Sequence, residues 1–134
     1  MALEKLTRAG RELAVLAKQA GLMRHDLAPV LPDEARPGDD VVVCLHGLFA
    51  TAGVLRPLRE HLERHEGVHT AAMTYPVGPS VAQLARRLHA VVTELPPGVH
   101  VHLLGHSVGG IVARYFAQEI GDPRVVQTVS LASP

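Results

Sequence analysis

Apolar residues near the N-terminus recur at helical spacing. Leucines and alanines return every three or four residues, at Leu3, Leu6, Leu13, Leu16 and Ala20. This spacing predicts one amphipathic helix over residues 2–20, ended by Gly21. Its polar side carries charges of both signs, which argues against lipid binding and favours a helix that covers the domain or a neighbouring subunit.

The rest of the chain switches repeatedly between strand-like and helical patterns. Short aliphatic runs predict strands over 41–45, 69–75, 99–104 and 125–131. Helical spacing follows over 56–64, 81–92 and 111–120, the last after a tight turn at 105–110. This βαβαβαβ order predicts a parallel sheet with helices on its faces. We therefore divide the chain into a helical segment (1–24), a proline-rich linker (25–40) and an α/β domain (41–134).

Composition excludes several classes of protein. The chain has 134 residues, of which 47% are hydrophobic, and its 13 basic residues balance 13 acidic ones. This neutrality gives no electrostatic basis for a nucleic-acid partner. The lone cysteine, Cys44, excludes an internal disulfide, and we expect it to be inert core. With no apolar run long enough to span a membrane and no export signal, the expected compartment is the cytoplasm.

One glycine-rich turn contains the candidate catalytic residue. Residues 105–109, Gly-His-Ser-Val-Gly, fit G-x-S-x-G and lie between a predicted strand and a predicted helix. That context is typical of a nucleophile elbow, which exposes a serine hydroxyl above a sheet. Ser107 is therefore the candidate nucleophile, and Gly105 and Gly109 permit close backbone packing. His106 is expected to point away from the serine and not to act as its base.

A second turn supplies a candidate oxyanion hole. His46, Gly47 and Leu48 follow the first predicted strand. Acyl transfer needs two N–H donors directed at the developing oxyanion. We assign them to the backbones of Leu48 and Val108, while Gly47 permits close approach and His46 is expected to hold the loop in place.

These segments resemble the N-terminal part of an α/β-hydrolase, within its lipase and esterase branch. The resemblance covers residues 40–134 and is carried by VVVCLHGL (41–48), TYP (74–76), HLLGHSVGGIVARYF (102–116) and VSLASP (129–134). It implies an α/β-hydrolase-type parallel sheet, a Ser–His–Asp triad, a small-molecule ester, thioester or lipid substrate, and no cofactor.

The acid and the base of such a triad are missing from the expected positions. They should follow the nucleophile, yet only Glu119 and Asp122 are acidic after it and no histidine follows His106. Asp122 is expected to serve helix termination before Pro123. We therefore expect a hydrolase truncated after about four strands, whose last strand is left as an exposed edge.

Two classes of function remain open. The first is a serine hydrolase of carboxylic esters, from which the sequence does not separate an acyltransferase or a thioesterase. The second is an inactive remnant or interaction module that pairs through its edge strand or N-terminal helix. No metal site is expected, because His61, His65 and His69 do not supply a full ligand set on one helix.

Overall fold

A computed structural model describes all 134 residues and contains four strands and four α-helices. The strands are β1 (Asp40–Leu45), β2 (Val68–Met73), β3 (His100–His106) and β4 (Val125–Leu131). The helices are α1 (Ala2–Leu22), α2 (Arg56–Leu62), α3 (Val81–Glu94) and α4 (Val108–Tyr115). A 3₁₀ turn (Ala52–Leu55) precedes α2, and a π turn (Phe116–Ile120) follows α4. None of the helices is both long and apolar enough to cross a membrane.

The four strands form one parallel sheet in the order β2-β1-β3-β4. Val43 of β1 lies opposite Ala71 on one side and Leu103 on the other, so β1 is central and hydrogen-bonded along both edges. The register between β3 and β4 shifts after Val101. The predicted α/β architecture is confirmed, since parallel neighbours require crossovers, and the intervening segments that make them each contain a helix.

The two faces of the sheet differ in how they are covered. The first face packs against α3 and α4 in a core of 18 buried residues, among which Phe116 is fully buried. On the second face, a small cluster of Cys44, Ala52 and Ala72 is covered by the 3₁₀ turn. Burial raises the pKa of the Cys44 thiol to about 12, so that side chain is chemically inert near neutral pH.

The β3–β4 part of the second face is not covered. Leu104 and Val129 are partly exposed there, and His102 bonds to Asp40 at 2.7 Å and to Gln127 at 3.0 Å. We call this surface the open sheet face, and eight residues line it: Asp40, Val42, Leu62, Val68, His102, Leu104, Gln127 and Val129.

Helix α1 projects from the domain along most of its length, and none of its residues is buried. Only its C-terminal end contacts the domain, where the Leu22 carbonyl packs on Gly53 and the Met23 carbonyl accepts a bond from Thr51 Oγ1 at 3.1 Å. The predicted stop at Gly21 is wrong. The helix runs to Leu22, one residue further, and is capped by Met23, whose N–H bonds to the carbonyls of Gln19 and Gly21.

The predicted boundary after the glycine-rich turn is also wrong. Helix α4 begins at Val108, so Gly109 and Gly110 lie inside its first turn and not in a loop. Their low helix propensity suggested a turn. Close packing explains why glycine is found in this helix, because a Cβ at Gly110 would lie 2.0 Å from Ser133 Oγ.

The segment 25–40 is bound to the domain by side chains. Asp26 is paired with Arg56 and with Arg59, each at 2.9 Å, and Val30 forms a backbone bridge with Ala72. Burial raises the pKa of Asp26, but its two arginine partners outweigh that effect and hold the pKa below the usual value.

Candidate functional site

Ser107 lies between β3 and α4, at the carboxyl edge of the sheet. Its backbone has φ +54° and ψ −121°, a conformation that L-residues rarely adopt. Such strain persists only where the surroundings impose it, and it is typical of functional turns. The adjacent N-terminus of α4 directs free N–H groups and the positive end of a helix dipole toward this position.

Two glycines allow β3 and α4 to meet at this sharp turn. A Cβ at Gly105 would lie 2.3 Å from the Gly109 carbonyl oxygen, and one at Gly109 would lie 2.4 Å from the Leu45 carbonyl oxygen. Neither contact is sterically acceptable, so only glycine fits at both positions. The close approach also brings the end of β1 beside the turn.

The loop after β1 reaches the serine through Gly47. A Cβ at Gly47 would lie 3.2 Å from Ser107 Cβ, so this backbone passes directly beside the nucleophile candidate. The Leu48 N–H donates to no group of the protein. Val108 is the first residue of α4, where helix geometry provides no acceptor for its N–H. Both predicted donors are thus unpaired beside Ser107.

His46 is buried and bonded through both ring nitrogens. Its Nδ1 lies 2.7 Å from the Gly47 carbonyl oxygen, and its Nε2 accepts the Tyr75 backbone N–H at 3.0 Å. The second bond makes Nε2 an acceptor, so Nδ1 carries the proton. The ring also stacks on Tyr75 at 3.9 Å, and the Tyr75 hydroxyl donates to the His46 carbonyl. Burial lowers the pKa of His46, against the opposing effect of the Gly47 bond.

No side chain acts on Ser107 as a base. The Ser107 hydroxyl has no side-chain hydrogen bond, and His106, although adjacent, is exposed and its ring makes no hydrogen bond. His106 instead lies beside Gly47. A Cβ added at Gly47 would be 3.0 Å from the His106 Nδ1. Asp122 precedes β4 at the opposite edge of the sheet and bonds to Arg124 at 3.0 Å, which holds the pKa of that carboxyl below its usual value.

A small apolar cleft of about 60 Å³ adjoins the turn. It is lined by Leu48, Phe49, Tyr75, Val77 and Val108, among others. The Phe49 side chain is 74% exposed, so this cleft has an apolar rim.

Sequence reasoning missed Phe49, Val77 and Ser133. Ser133 Oγ donates to the Ser107 carbonyl at 2.6 Å and so braces the turn from the segment after β4. Phe49 directly follows Leu48 in the segment after β1, and Val77 directly follows Pro76 in the segment after β2. Apolar residues at these positions after a strand could have been predicted to line a site. No local pattern indicates Ser133, because it lies 26 residues from its partner.

Comparison with protein families gives no matching family model, and no curated protein matches the sequence. Solved structures do match. A lipase from Bacillus licheniformis, BlEst2 in its mature form, superposes with a TM-score of 0.61 at 19% identity, over 80% of this chain and 46% of the lipase. An inhibited esterase B from Lactobacillus rhamnosis superposes with a TM-score of 0.53 at 17% identity, over 98% of this chain and 55% of the esterase.

These likenesses confirm the predicted fold, a parallel α/β sheet with flanking helices that this chain shares with the lipase and the esterase. The chain spans about half the length of both matched structures. Fold alone does not determine function, so the activity has to be argued from the site.

Proposed function

We propose that this chain carries the nucleophile and oxyanion-binding part of a serine hydrolase that acts on carboxylic esters. Ser107 would attack the ester carbonyl, and the N–H groups of Leu48 and Val108 would bind the oxyanion that forms. The cleft lined by Leu48, Phe49 and Val77 would receive the apolar acyl part of the substrate.

One observation carries this proposal above the others. Ser107 has a strained positive φ at a strand–turn–helix junction, with two unpaired backbone N–H groups beside it. A purely structural turn needs neither a serine in this conformation nor unpaired N–H groups next to it. Electrostatic stabilisation by such donors is a large term in acyl transfer, about 10²–10³ in rate for each donor.

The general base and its acid would come from outside these 134 residues. Both nitrogens of His46 are occupied, and Asp122 lies at the far edge of the sheet. Without a base, the Ser107 hydroxyl is a weak nucleophile, and only the residual catalysis from oxyanion binding remains. The chain alone should therefore hydrolyse esters slowly, and an added base should raise that rate.

Added imidazole supplies the missing base and tests the proposal. We expect hydrolysis of a short-chain p-nitrophenyl ester by the purified chain to rise with imidazole concentration beyond the buffer reaction. The increment should disappear in Ser107→Ala and persist in the control Ser130→Ala, whose hydroxyl lies on β4. An increment that is equal in all three proteins would contradict the assignment.

Covalent labelling gives a second readout. A fluorophosphonate in the presence of imidazole should modify one residue, identified by mass spectrometry as Ser107. Labelling that is unchanged in Ser107→Ala would exclude this nucleophile. If neither experiment shows a reaction that depends on Ser107, the interaction module becomes the better explanation of the fold.

A further inference from the structure

The end of β4 and the residues after it bond both backbone polar groups of Ser107. The Leu131 carbonyl accepts the Ser107 N–H at 2.9 Å, and Ser133 Oγ donates to the Ser107 carbonyl at 2.6 Å. Ala132, between these two partners, has φ +48°, and Ser107 itself has φ +54°. Two non-glycine residues in the left-handed region thus lie at one contact, where the surroundings have to hold them in place.

The bond from Ser133 is not needed to satisfy the Ser107 carbonyl. That carbonyl already accepts the Gly110 N–H at 3.0 Å, within the first turn of α4. A carbonyl oxygen has two lone pairs, and the Ser133 hydroxyl occupies the second. A carbonyl that is bonded from two separate segments is fixed in direction more firmly than one bonded once. The Ser133 hydroxyl therefore acts on the orientation of a peptide plane.

The same peptide plane contains the Val108 N–H. The bond between Ser107 and Val108 is trans, so its C=O and N–H lie in one plane and point in opposite directions. A partner that fixes the Ser107 carbonyl therefore also fixes the direction of the Val108 N–H. That N–H is one of the two groups that we assign to the oxyanion, and such a donor is effective only when it is aimed in advance.

Gly110 leaves the space that the Ser133 side chain occupies. A Cβ at Gly110 would lie 2.0 Å from Ser133 Oγ and 2.8 Å from Ser133 Cβ. Ser130 Oγ is near the same glycine, 3.0 Å from such a Cβ, but its hydroxyl makes no hydrogen bond. Of the two serines beside Gly110, only Ser133 is bonded to the turn, so Ser130→Ala is a matched control.

We propose that Ser133 is a positioning residue for the oxyanion donor. Its hydroxyl holds the peptide between Ser107 and Val108 so that the Val108 N–H stays directed at the developing oxyanion. This inference rests on the proposed function, because it concerns the same oxyanion. Ser133 acts through the Ser107 carbonyl and not on the substrate, so its loss should lower kcat and leave KM nearly unchanged.

Ester hydrolysis by the purified chain at a fixed imidazole concentration tests the effect on rate. In Ser133→Ala we expect kcat for a short-chain p-nitrophenyl ester to fall about 10-fold, less than the about 10²–10³ that removal of a whole donor costs. KM should change by less than about twofold. Ser133→Thr keeps a hydroxyl and should recover most of kcat, and Ser130→Ala should match the wild-type chain. An equal loss in Ser133→Ala and a folded Ser133→Thr chain overturns the proposal.

Amide NMR gives a readout that needs no activity. Loss of the bond from Ser133 should move the ¹³C signal of the Ser107 carbonyl upfield and should also move the ¹⁵N signal of Val108, because both atoms belong to the peptide that Ser133 holds. In Ser130→Ala both signals should keep their positions, and the rest of each spectrum shows whether the variant is folded. Signals that are unmoved in a folded Ser133→Ala chain overturn the proposal even if the rate falls.

Failure of this inference and failure of the proposed function give different results. A wild-type chain without Ser107-dependent hydrolysis would contradict the proposed function and this inference with it. Ser107-dependent hydrolysis with the same kcat in Ser133→Ala would contradict only the role of Ser133. A rise in KM as large as the fall in kcat would assign Ser133 to substrate binding, and the proposal would be wrong.

Discussion

The two faces of β3 show how differently one strand can be used. Leu103 points into the core under α3 and α4 and is fully buried, whereas Leu104, the next residue, lies on the open sheet face. The first face is completed by elements of the same chain, and the turn at Ser107 is built on it. The second face is left partly exposed, with the apolar Leu104 next to the polar His102 and Gln127. The site is therefore supported from one side, and the open face is available for association.

The largest effect is expected where the covered face meets the turn. Gly109→Ala would place a Cβ 2.4 Å from the Leu45 carbonyl oxygen, so α4 must move away from β1. We expect a loss of about 3 kcal/mol or more in the free energy of unfolding, measured by urea titration. Gly21→Ala in α1, where a Cβ meets nothing, is the control. It should be neutral or stabilising by up to about 1 kcal/mol. Equal losses would show that the close approach is not essential.

The adjacent leucines of β3 test the comparison directly. Leu103→Ala should destabilise the fold by about 3 kcal/mol, because it leaves a cavity in the main core. Leu104→Ala removes the same atoms from a partly exposed site and should cost about 1 kcal/mol. Both values come from denaturant unfolding at a concentration where the chain is monomeric. If Leu104→Ala costs as much as Leu103→Ala, the second face is covered in the monomer.

Backbone strain at Ser107 should be measurable as stability. Ser107→Gly removes the penalty of the positive φ, whereas Ser107→Ala keeps it. We expect the glycine variant to be more stable than the alanine variant by about 1 kcal/mol in thermal unfolding. A glycine variant no more stable than the alanine one would show that the turn relaxes in solution.

The smallest effect concerns pH. The pKa of His46 is lowered in the folded state, so the unfolded chain binds more protons as pH falls below about 6.5. The stability that depends on neutral His46 is therefore complete above that pH and is lost as pH falls through it. In His46→Gln, unfolding free energies measured between pH 5 and 8 should lose this part of their slope. An unchanged slope would assign it to other histidines.

The sequence predicted what depends on neighbouring residues and missed what depends on distant ones. The order of strands and helices follows from local periodicity, and Gly105 through Gly109 belong to one contiguous motif, so both could be predicted. The brace from Ser133 to Ser107 and the bonds between His46 and Tyr75 join separated segments. The close approach of the Leu22 carbonyl to Gly53, at the C-terminal end of α1, also joins segments that no periodicity relates.

The brace at Ser133 has a practical consequence for how the chain can be extended. Pro134 follows it directly, and its carbonyl accepts a bond from Arg114 near the C-terminal end of α4, so Pro134 is held against that helix. A peptide fused after Pro134 therefore emerges alongside α4, the helix that begins directly after Ser107. A short flexible extension carrying one histidine would hold an imidazole near the hydroxyl at millimolar effective concentration. The fusion point thus becomes a place from which a base can be tethered and its reach tuned by linker length.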